Sequence, residues 1–267
     1  ERCAVTDRVL RDSVSLRVSL GHDPKTTYSK SIQYPSTRMG VAAVVREQFV
    51  KAQEYEAGCR EAIGIAKRPK FDSALHTLAE VMARKTPVTF YADKANDLVT
   101  AVRLTREFDL NGIIVGATEG CLVAEFLGES GVPVVFIPLL DGRMSVETRN
   151  ATFETAAVLA AAGVDISIST GAPSLPSEYL PVIAALCMKA GLARDTALRA
   201  ITSSPAAIFG LVQNGPQNTA GPGHIACGAP ADLVVWEGDP FSLTGRPRLV
   251  IASGNVAFDS CINEAPW

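Results

Sequence analysis

The sequence predicts an α/β protein with a parallel sheet, and three observations lead to that class. Short β-branched runs alternate with segments of helical periodicity, which is the pattern of repeated βα units. Most of these runs are apolar throughout, as is typical of strands that a parallel sheet buries on both faces. Successive strands are spaced roughly 20 to 35 residues apart, the repeat of a barrel or of a doubly wound sheet.

The predicted strands share a short, apolar, β-branched character. They are Ser13–Leu20, Pro87–Ala92, Gly112–Val115, Pro133–Pro138 and Asp165–Thr170. A helical pattern follows each of the last four. The predicted helices cover Leu98–Phe108, Thr118–Leu127, Thr152–Ala162 and Ser177–Leu192, and a further helix is predicted over Arg194–Leu211.

The stretch from residue 38 to residue 85 contains no strand-like run. Its periodicity predicts two helices, Arg38–Lys67 and Phe71–Lys85, which are interrupted at Pro69. We interpret this stretch as a helical insertion in the βα series.

The end of the chain changes character. Residues 213–228 are rich in turn-forming residues, and three short strand patterns follow at Asp232–Trp236, Arg248–Ala252 and Asn255–Phe258. The sequence therefore predicts a partial barrel over 1–212 with the helical insertion 38–85, and a C-terminal β module over 213–267.

The composition narrows the class of protein. Of 267 residues, 47% are hydrophobic and 20% are charged, as in ordinary globular domains. A net charge of −3 argues against a nucleic-acid partner or an anionic membrane surface, since both require a basic face. The longest apolar run, Ala156–Val164, falls short of the ~20 residues that span a bilayer. We therefore expect neither a nucleic-acid partner nor a membrane-spanning segment.

The N-terminus and the cysteines bear on cellular context. The chain begins Glu-Arg-Cys, without Met or an apolar leader, so we expect that it is processed or that its beginning is missing. The 6 cysteines form no C-x-x-C pair, which indicates buried small side chains rather than a zinc or redox motif. A bridge from Cys3 to a distant cysteine stays open and would indicate an oxidising compartment.

Two C-terminal segments resemble a known family. Ala200–Leu211 (AITSSPAAIFGL) and Gly223–Pro240 (GHIACGAPADLVVWEGDP) resemble the end of amidohydrolase-superfamily enzymes, most closely the imidazolonepropionase-like group. The similarity extends upstream through Leu20–Lys25 (LGHDPK), Tyr34–Gly40 (YPSTRMG) and Lys51–Tyr55 (KAQEY), and so spans nearly the whole chain.

The resemblance implies a TIM-type (β/α)8 barrel with a β-sandwich built from both chain ends. Five barrel strands are visible, so we expect an incomplete or composite barrel with a small C-terminal sandwich portion. It also implies metal-dependent hydrolysis of amide or other C–N bonds, with histidines and an aspartate at the carboxyl ends of the strands.

The implied ligand positions hold other residues. The family's histidines align with Tyr91 and with Gly116, where Gly-Ala-Thr-Glu-Gly stands in place of His-Gly-Thr-Glu-Gly. Its aspartate aligns with Gly171 in Thr-Gly-Ala-Pro, and a lysine of some relatives aligns with Arg17, which cannot serve as a ligand. The first-strand H-x-H does not occur. We therefore expect neither a bound metal nor another cofactor.

The three histidines do not supply replacements. We expect His22 in a loop after a strand, His76 in the helical insertion and His224 in the β module. None is predicted at the end of a barrel strand.

Other polar residues could face a pocket at the mouth of the barrel. The candidates are Arg17, Arg38, Asp93, Lys94, Glu119 and Arg143. A carboxylate near a lysine can act as acid and base, and Arg38 with Arg143 can clamp a carboxylate ligand. Helix-start charges and N-caps such as Asp93 and Thr118 are the stronger explanation of these residues. Asn150-Ala-Thr is a formal glycosylation sequon.

These observations favour a catalytically degenerate amidohydrolase-like protein that acts as a structural or binding subunit. The alternatives are a C–N hydrolase whose site is completed by another segment or subunit, and a small-ligand binding protein. The latter would use the active-site pocket that the resemblance implies. An incomplete barrel leaves strand edges unpaired, so we expect a missing N-terminal segment, another subunit or another copy to cover them. The resemblance slightly favours a bacterial, extracytoplasmic location.

Overall fold

A computed structural model describes residues 13–29, 34–62, 68–140, 145–211 and 221–262. Over these residues the chain has the predicted α/β class. The strands of its larger sheet are β1 (Leu16–Ser19), β2 (Val88–Ala92), β3 (Gly112–Gly116), β4 (Val134–Phe136) and β5 (Ile166–Ile168). They lie in the order β1-β2-β3-β4-β5, and within the described residues the sheet does not close into a barrel.

Strand pairing confirms the predicted parallel sheet. β1 and β2 are parallel, with Arg17 opposite Thr89 and Ser19 opposite Tyr91. β4 and β5 are also parallel, with Val134 opposite Ile166. Parallel strands end at the same edge, so the carboxyl ends within each pair are neighbours.

The chain folds into two compact units. The first contains the described residues up to Ala92 together with 96–114, and the second contains 93–95 and the described residues from Val115 onwards.

The helices follow the predicted order closely. They are α1 (His22–Ser29), α2 (Arg38–Glu61), α3 (Ser73–Met82), α4 (Ala95–Glu107), α5 (Ala124–Ser130), α6 (Glu154–Ala161), α7 (Leu180–Lys189), α8 (Arg194–Ile201) and α9 (Ser203–Ile208). A 3₁₀ turn over Gly120–Val123 precedes α5.

In the first unit, α2 and α3 occupy the stretch predicted to be two helices, although residues 63–67 lie outside the described part of the chain. Asp72 caps α3 by accepting hydrogen bonds from the backbone of Ala74 and Leu75. The Phe49 and Phe108 rings stack with centroids 5.0 Å apart and anchor the core beneath α2.

Two sequence predictions are corrected by the helices. His22 is the first residue of α1 rather than part of a loop. The predicted helix Arg194–Leu211 is two helices, which separate at Thr202 with φ −127° and ψ −84°. Pro205 explains the break, because it cannot donate to the carbonyl four residues earlier and its ring clashes with that carbonyl, whereas the first turn of a new helix accepts it.

The second unit ends in a separate antiparallel sheet, as predicted. Its strands are β6 (Leu233–Glu237), β7 (Arg246–Ala252) and β8 (Asn255–Asp259), in the order β6-β7-β8. None of the residues in these strands is buried. An antiparallel sheet normally packs one face on a core, so this sheet is incompletely covered within the described residues.

Among the described residues, no helix combines the length and the apolar character needed to cross a membrane.

Candidate functional site

Tyr91, in the first unit, stands at a position that the resemblance assigns to a metal ligand. Tyr91 is half-buried near the end of β2, and the guanidinium carbon of Arg17 lies 3.7 Å from the centre of its ring. Register places Arg17 opposite Thr89, so Arg17 and Tyr91 are diagonal neighbours on one face of the β1–β2 pair. The Tyr91 ring therefore contacts a cationic side chain of the same chain, that of Arg17.

Gly116 ends β3 in a backbone conformation that favours glycine. Its φ is +102°, and the following Ala117 has φ +59°. Residues with a Cβ atom rarely adopt φ values in this range. The strand end that the resemblance assigns to a histidine is thus built for a residue without a side chain.

Gly171 follows β5 and is constrained both by its backbone and by a neighbour. Its φ is +71°, and a Cβ atom at this position would lie 2.8 Å from Cγ2 of Ile137. Its backbone N–H donates to the Ser169 hydroxyl at 3.2 Å. A small cleft of about 120 Å³ opens beside it. The lining residues are Pro138, Leu139, Leu140, Thr170, Ser174 and Leu175.

A polar cluster in the second unit joins the residues after β2 to those after β3. The Lys94 Nζ donates to Glu119 Oε1 at 2.7 Å, and the Ala95 N–H donates to Glu119 Oε2 at 3.1 Å. In the other direction, the Thr118 hydroxyl donates to Asp93 Oδ1 at 2.7 Å. Glu119, after β3, therefore accepts hydrogen bonds from residues that follow β2. Asp93, after β2, accepts one from a residue that follows β3.

Asn150 completes the cluster. Its side-chain amide donates to Glu119 Oε1 at 2.7 Å. The sequence showed Asn150 only as part of a sequon, because a contact across 31 positions leaves no local signal. The side chain is engaged in an internal hydrogen bond rather than directed only to solvent.

Glu119 is ionised in this setting. Burial raises the pKa of its carboxyl group, but the hydrogen bonds from Lys94, Ala95 and Asn150 and the charge of Lys94 outweigh that effect. The net result is a pKa below the ordinary value for glutamate. An ionised carboxylate with these donors is an internal structural anchor, and its oxygens are already occupied.

Two candidate residues remain, Arg38 and Arg143. Arg38 forms an ion pair with Asp97, which is 5% exposed and which sequence reasoning missed. Gly21 allows the pair to approach, because a Cβ atom there would lie 2.6 Å from Asp97 Oδ2. Arg143 lies outside the described residues.

The family-implied metal was tested against the donors present. Tyr91 lies under a guanidinium, Gly116 and Gly171 offer no side chain, and Glu119 is already paired. Within the described ranges, no group of three or more His, Cys, Asp or Glu side chains is arranged to hold a metal ion. These residues do not fit a hydrolytic metal centre, which requires about three or four His or carboxylate ligands.

Known proteins share this architecture. Parallel βα units followed by a small antiparallel sheet define the class of α/β proteins related to TIM-barrel enzymes. Residues 34–258 match the amidohydrolase family, and the chain belongs to that family. The superfamily resemblance is therefore confirmed, while the imidazolonepropionase-like group stays a prediction.

Two relatives illustrate the similarity. A crystal structure of an amidohydrolase from Thermotoga maritima MSB8 superimposes with a TM-score of 0.87 at 33% identity, covering 97% of this chain and 66% of that one. Amidohydrolase tasK of Hapsidospora irregularis is 24% identical over 257 residues, or 91% of this chain and 26% of tasK. The chain thus spans about two thirds of the first relative and about a quarter of the second.

Proposed function

We propose that this chain is a non-hydrolytic member of the amidohydrolase family that serves as a structural or binding subunit of a larger assembly. One observation carries the proposal. Gly171, at the position that the resemblance assigns to an aspartate, has a left-handed backbone, and Ile137 occupies the space that a side chain would need. This packing supports the proposal because it disfavours any side-chain ligand at residue 171.

Two further observations support the same proposal. Gly116 has φ +102°, so a histidine there would be strained. Tyr91 stacks with Arg17, and a divalent ion beside that guanidinium would be repelled by its charge.

The subunit role rests on incomplete sheets. β1 stands at one end of the strand order and has a single neighbouring strand among the described residues. No residue of β6, β7 or β8 is buried. Unpaired edges and uncovered faces favour association, so a partner polypeptide or a further segment is expected to complete them.

Metal content tests the loss of catalysis. Purified protein is incubated with Zn²⁺ or Mn²⁺, dialysed and analysed by plasma mass spectrometry, and hydrolysis of linear and cyclic amides is measured in parallel. We expect well below about 0.1 equivalents of metal and no turnover above the background. One equivalent of tightly held metal, with metal-dependent turnover, contradicts the proposal.

Hydrogen exchange tests the subunit role. In the purified chain, the amides of β6 and β1 are expected to exchange orders of magnitude faster than those of β3, because an uncovered edge opens readily. Slow exchange of β1, β3 and β6 alike in a monomer at high dilution contradicts it.

A second candidate is a metal-dependent hydrolase of C–N bonds whose site is completed by another segment or subunit. Membership of the amidohydrolase family favours it, and the chain covers only 66% of the Thermotoga protein. It predicts that metal binding and turnover appear together when the completing polypeptide is added. Addition without either effect leaves the non-hydrolytic proposal standing.

A further inference from the structure

The two faces of the β1–β2 pair differ in chemistry. One face is apolar and packs inward, with Val88 and Phe90 both 0% exposed. The register of the pair places the other set of side chains together, and these are Ser15, Arg17, Ser19, Thr89 and Tyr91. Parallel strands are usually apolar on both faces, so this polar set is unusual. Within it Arg17 is exposed, whereas Thr89 is only 4% exposed.

Thr89 and Ser15 on this face have hydrogen-bond partners, whereas within the described ranges the Arg17 guanidinium has only the Tyr91 ring. Thr89 Oγ1 donates to the Leu16 carbonyl at 3.3 Å and lies 3.4 Å from Ser15 Oγ. Among the residues that the structure describes, the exposed Arg17 guanidinium contacts the Tyr91 ring and has no hydrogen-bonded or ion-paired acceptor.

The contact with the Tyr91 ring holds the Arg17 guanidinium in an orientation that can bind an anion. A ring below the guanidinium plane restricts the rotamers of a long side chain while leaving the N–H donors at the edge of the plane free. Those donors form a rigid fork that matches the two oxygens of a carboxylate. Serine and tyrosine hydroxyls on the same face can supply further hydrogen bonds.

We propose that Arg17, held over Tyr91, is the anchor of a carboxylate-binding site on the polar face of β1 and β2. A carboxylate is favoured over phosphate because the charge of one guanidinium balances one negative charge, whereas a phosphate group carries about −1.5 to −2. The inference rests on the proposed function, since a divalent ion at Tyr91 would displace the guanidinium. The strand end that the resemblance assigns to a metal ligand would thus present the cation of Arg17 instead.

Calorimetric titration with glutarate tests the site, with the neutral diamide glutaramide as the matched ligand control. We expect the protein to bind glutarate and not glutaramide. Arg17→Gln should weaken binding at least about tenfold, and Arg17→Lys should weaken it less, because lysine keeps the charge but lacks the fork. Tyr91→Leu should also weaken binding, because the guanidinium loses the ring that orients it.

Arg103→Gln is the matched protein control. Arg103 is exposed on α4 and loses the same charge. It should leave glutarate binding unchanged, which separates a specific site from general electrostatic attraction. Thermal unfolding of each variant verifies that it remains folded.

Three results overturn the inference. These are no glutarate binding up to about 10 mM, equal binding by the wild type and Arg17→Gln, or binding of phosphate without glutarate. Metal analysis of the same sample distinguishes the two proposals. Metal-free protein that fails to bind glutarate overturns this inference alone, whereas stoichiometric metal overturns the proposed function as well.

Discussion

Cγ2 of Ile137 lies 2.8 Å from the point that a Cβ atom of Gly171 would occupy. Ile137 follows β4 and Gly171 follows β5, so two neighbouring strand ends have packed together. A side chain at 171 must overcome both this contact and a left-handed backbone. A single substitution therefore cannot introduce an aspartate at residue 171 without moving Ile137.

Gly171→Ala is predicted to lower the free energy of unfolding by about 2–3 kcal/mol, from backbone strain and overpacking together. Gly163→Ala is the matched control, because Gly163 has φ +80° but no atom within 4 Å of its Cβ position. The control should lose only about 1 kcal/mol. Urea denaturation of both variants measures the difference.

A double-mutant cycle isolates the contact with Ile137. Ile137→Ala on its own should destabilise, but in the Gly171→Ala background it should cost about 1 kcal/mol less, because it removes the clash. Strict additivity of the two substitutions would show that Ile137 does not limit the site.

The Lys94–Glu119–Asn150 cluster is predicted to contribute substantially to stability. Glu119→Gln leaves Lys94, whose side chain is 16% exposed, without its counter-charge, and should cost about 2–4 kcal/mol. The control is Glu237→Gln, which removes the ion pair with Arg246 between side chains that are 60% and 74% exposed. It should change stability by less than about 0.5 kcal/mol in the same denaturation assay. Equal losses would mean that the cluster is a surface feature.

The cluster also predicts a direction of pH dependence. The pKa of Glu119 is lowered in the folded state, so unfolded protein takes up a proton at higher pH than folded protein does. The stabilisation is fully present above the unfolded pKa of about 4.3 and is lost as pH falls through the lower folded pKa. The difference in unfolding free energy between the wild type and Glu119→Gln should therefore shrink as pH falls from about 6 to about 3.

Asp239 provides an internal comparison for this measurement. Its hydrogen bond from Arg194 also lowers its pKa, so it contributes to the wild-type slope in the same direction. Asp239 contributes equally to the pH curves of the wild type and of Glu119→Gln. Its contribution therefore cancels when one curve is subtracted from the other. A difference that grows on acidification would contradict the assigned ionisation of Glu119.

The strand segments were predictable because burial leaves a local pattern in the sequence. Val88–Ala92 is rich in β-branched and aromatic residues, and four of its five residues are buried. Pro205 is likewise a local sequence signal of the helix break at Thr202. The contacts that define the site have no such signal, since Asn150 with Glu119 and Ile137 with Gly171 join residues far apart in sequence. A residue type at one position cannot reveal which distant side chain fills the space beside it.

Cysteine reactivity offers a last prediction, on the packing of the second unit. Cys187 lies on α7 with 0% exposure, and burial raises the pKa of its thiol to about 12. Cys227 and Cys261 are exposed. Because the thiolate is the reactive species, a maleimide at about pH 8 should label Cys227 and Cys261 quickly and Cys187 only through opening of the fold. Peptide mass spectrometry over time measures each site. Adding urea below the unfolding midpoint should accelerate labelling of Cys187 far more than that of Cys227 and Cys261, in proportion to the surface that its opening exposes. Rapid native labelling of Cys187 would show that α7 does not pack as described.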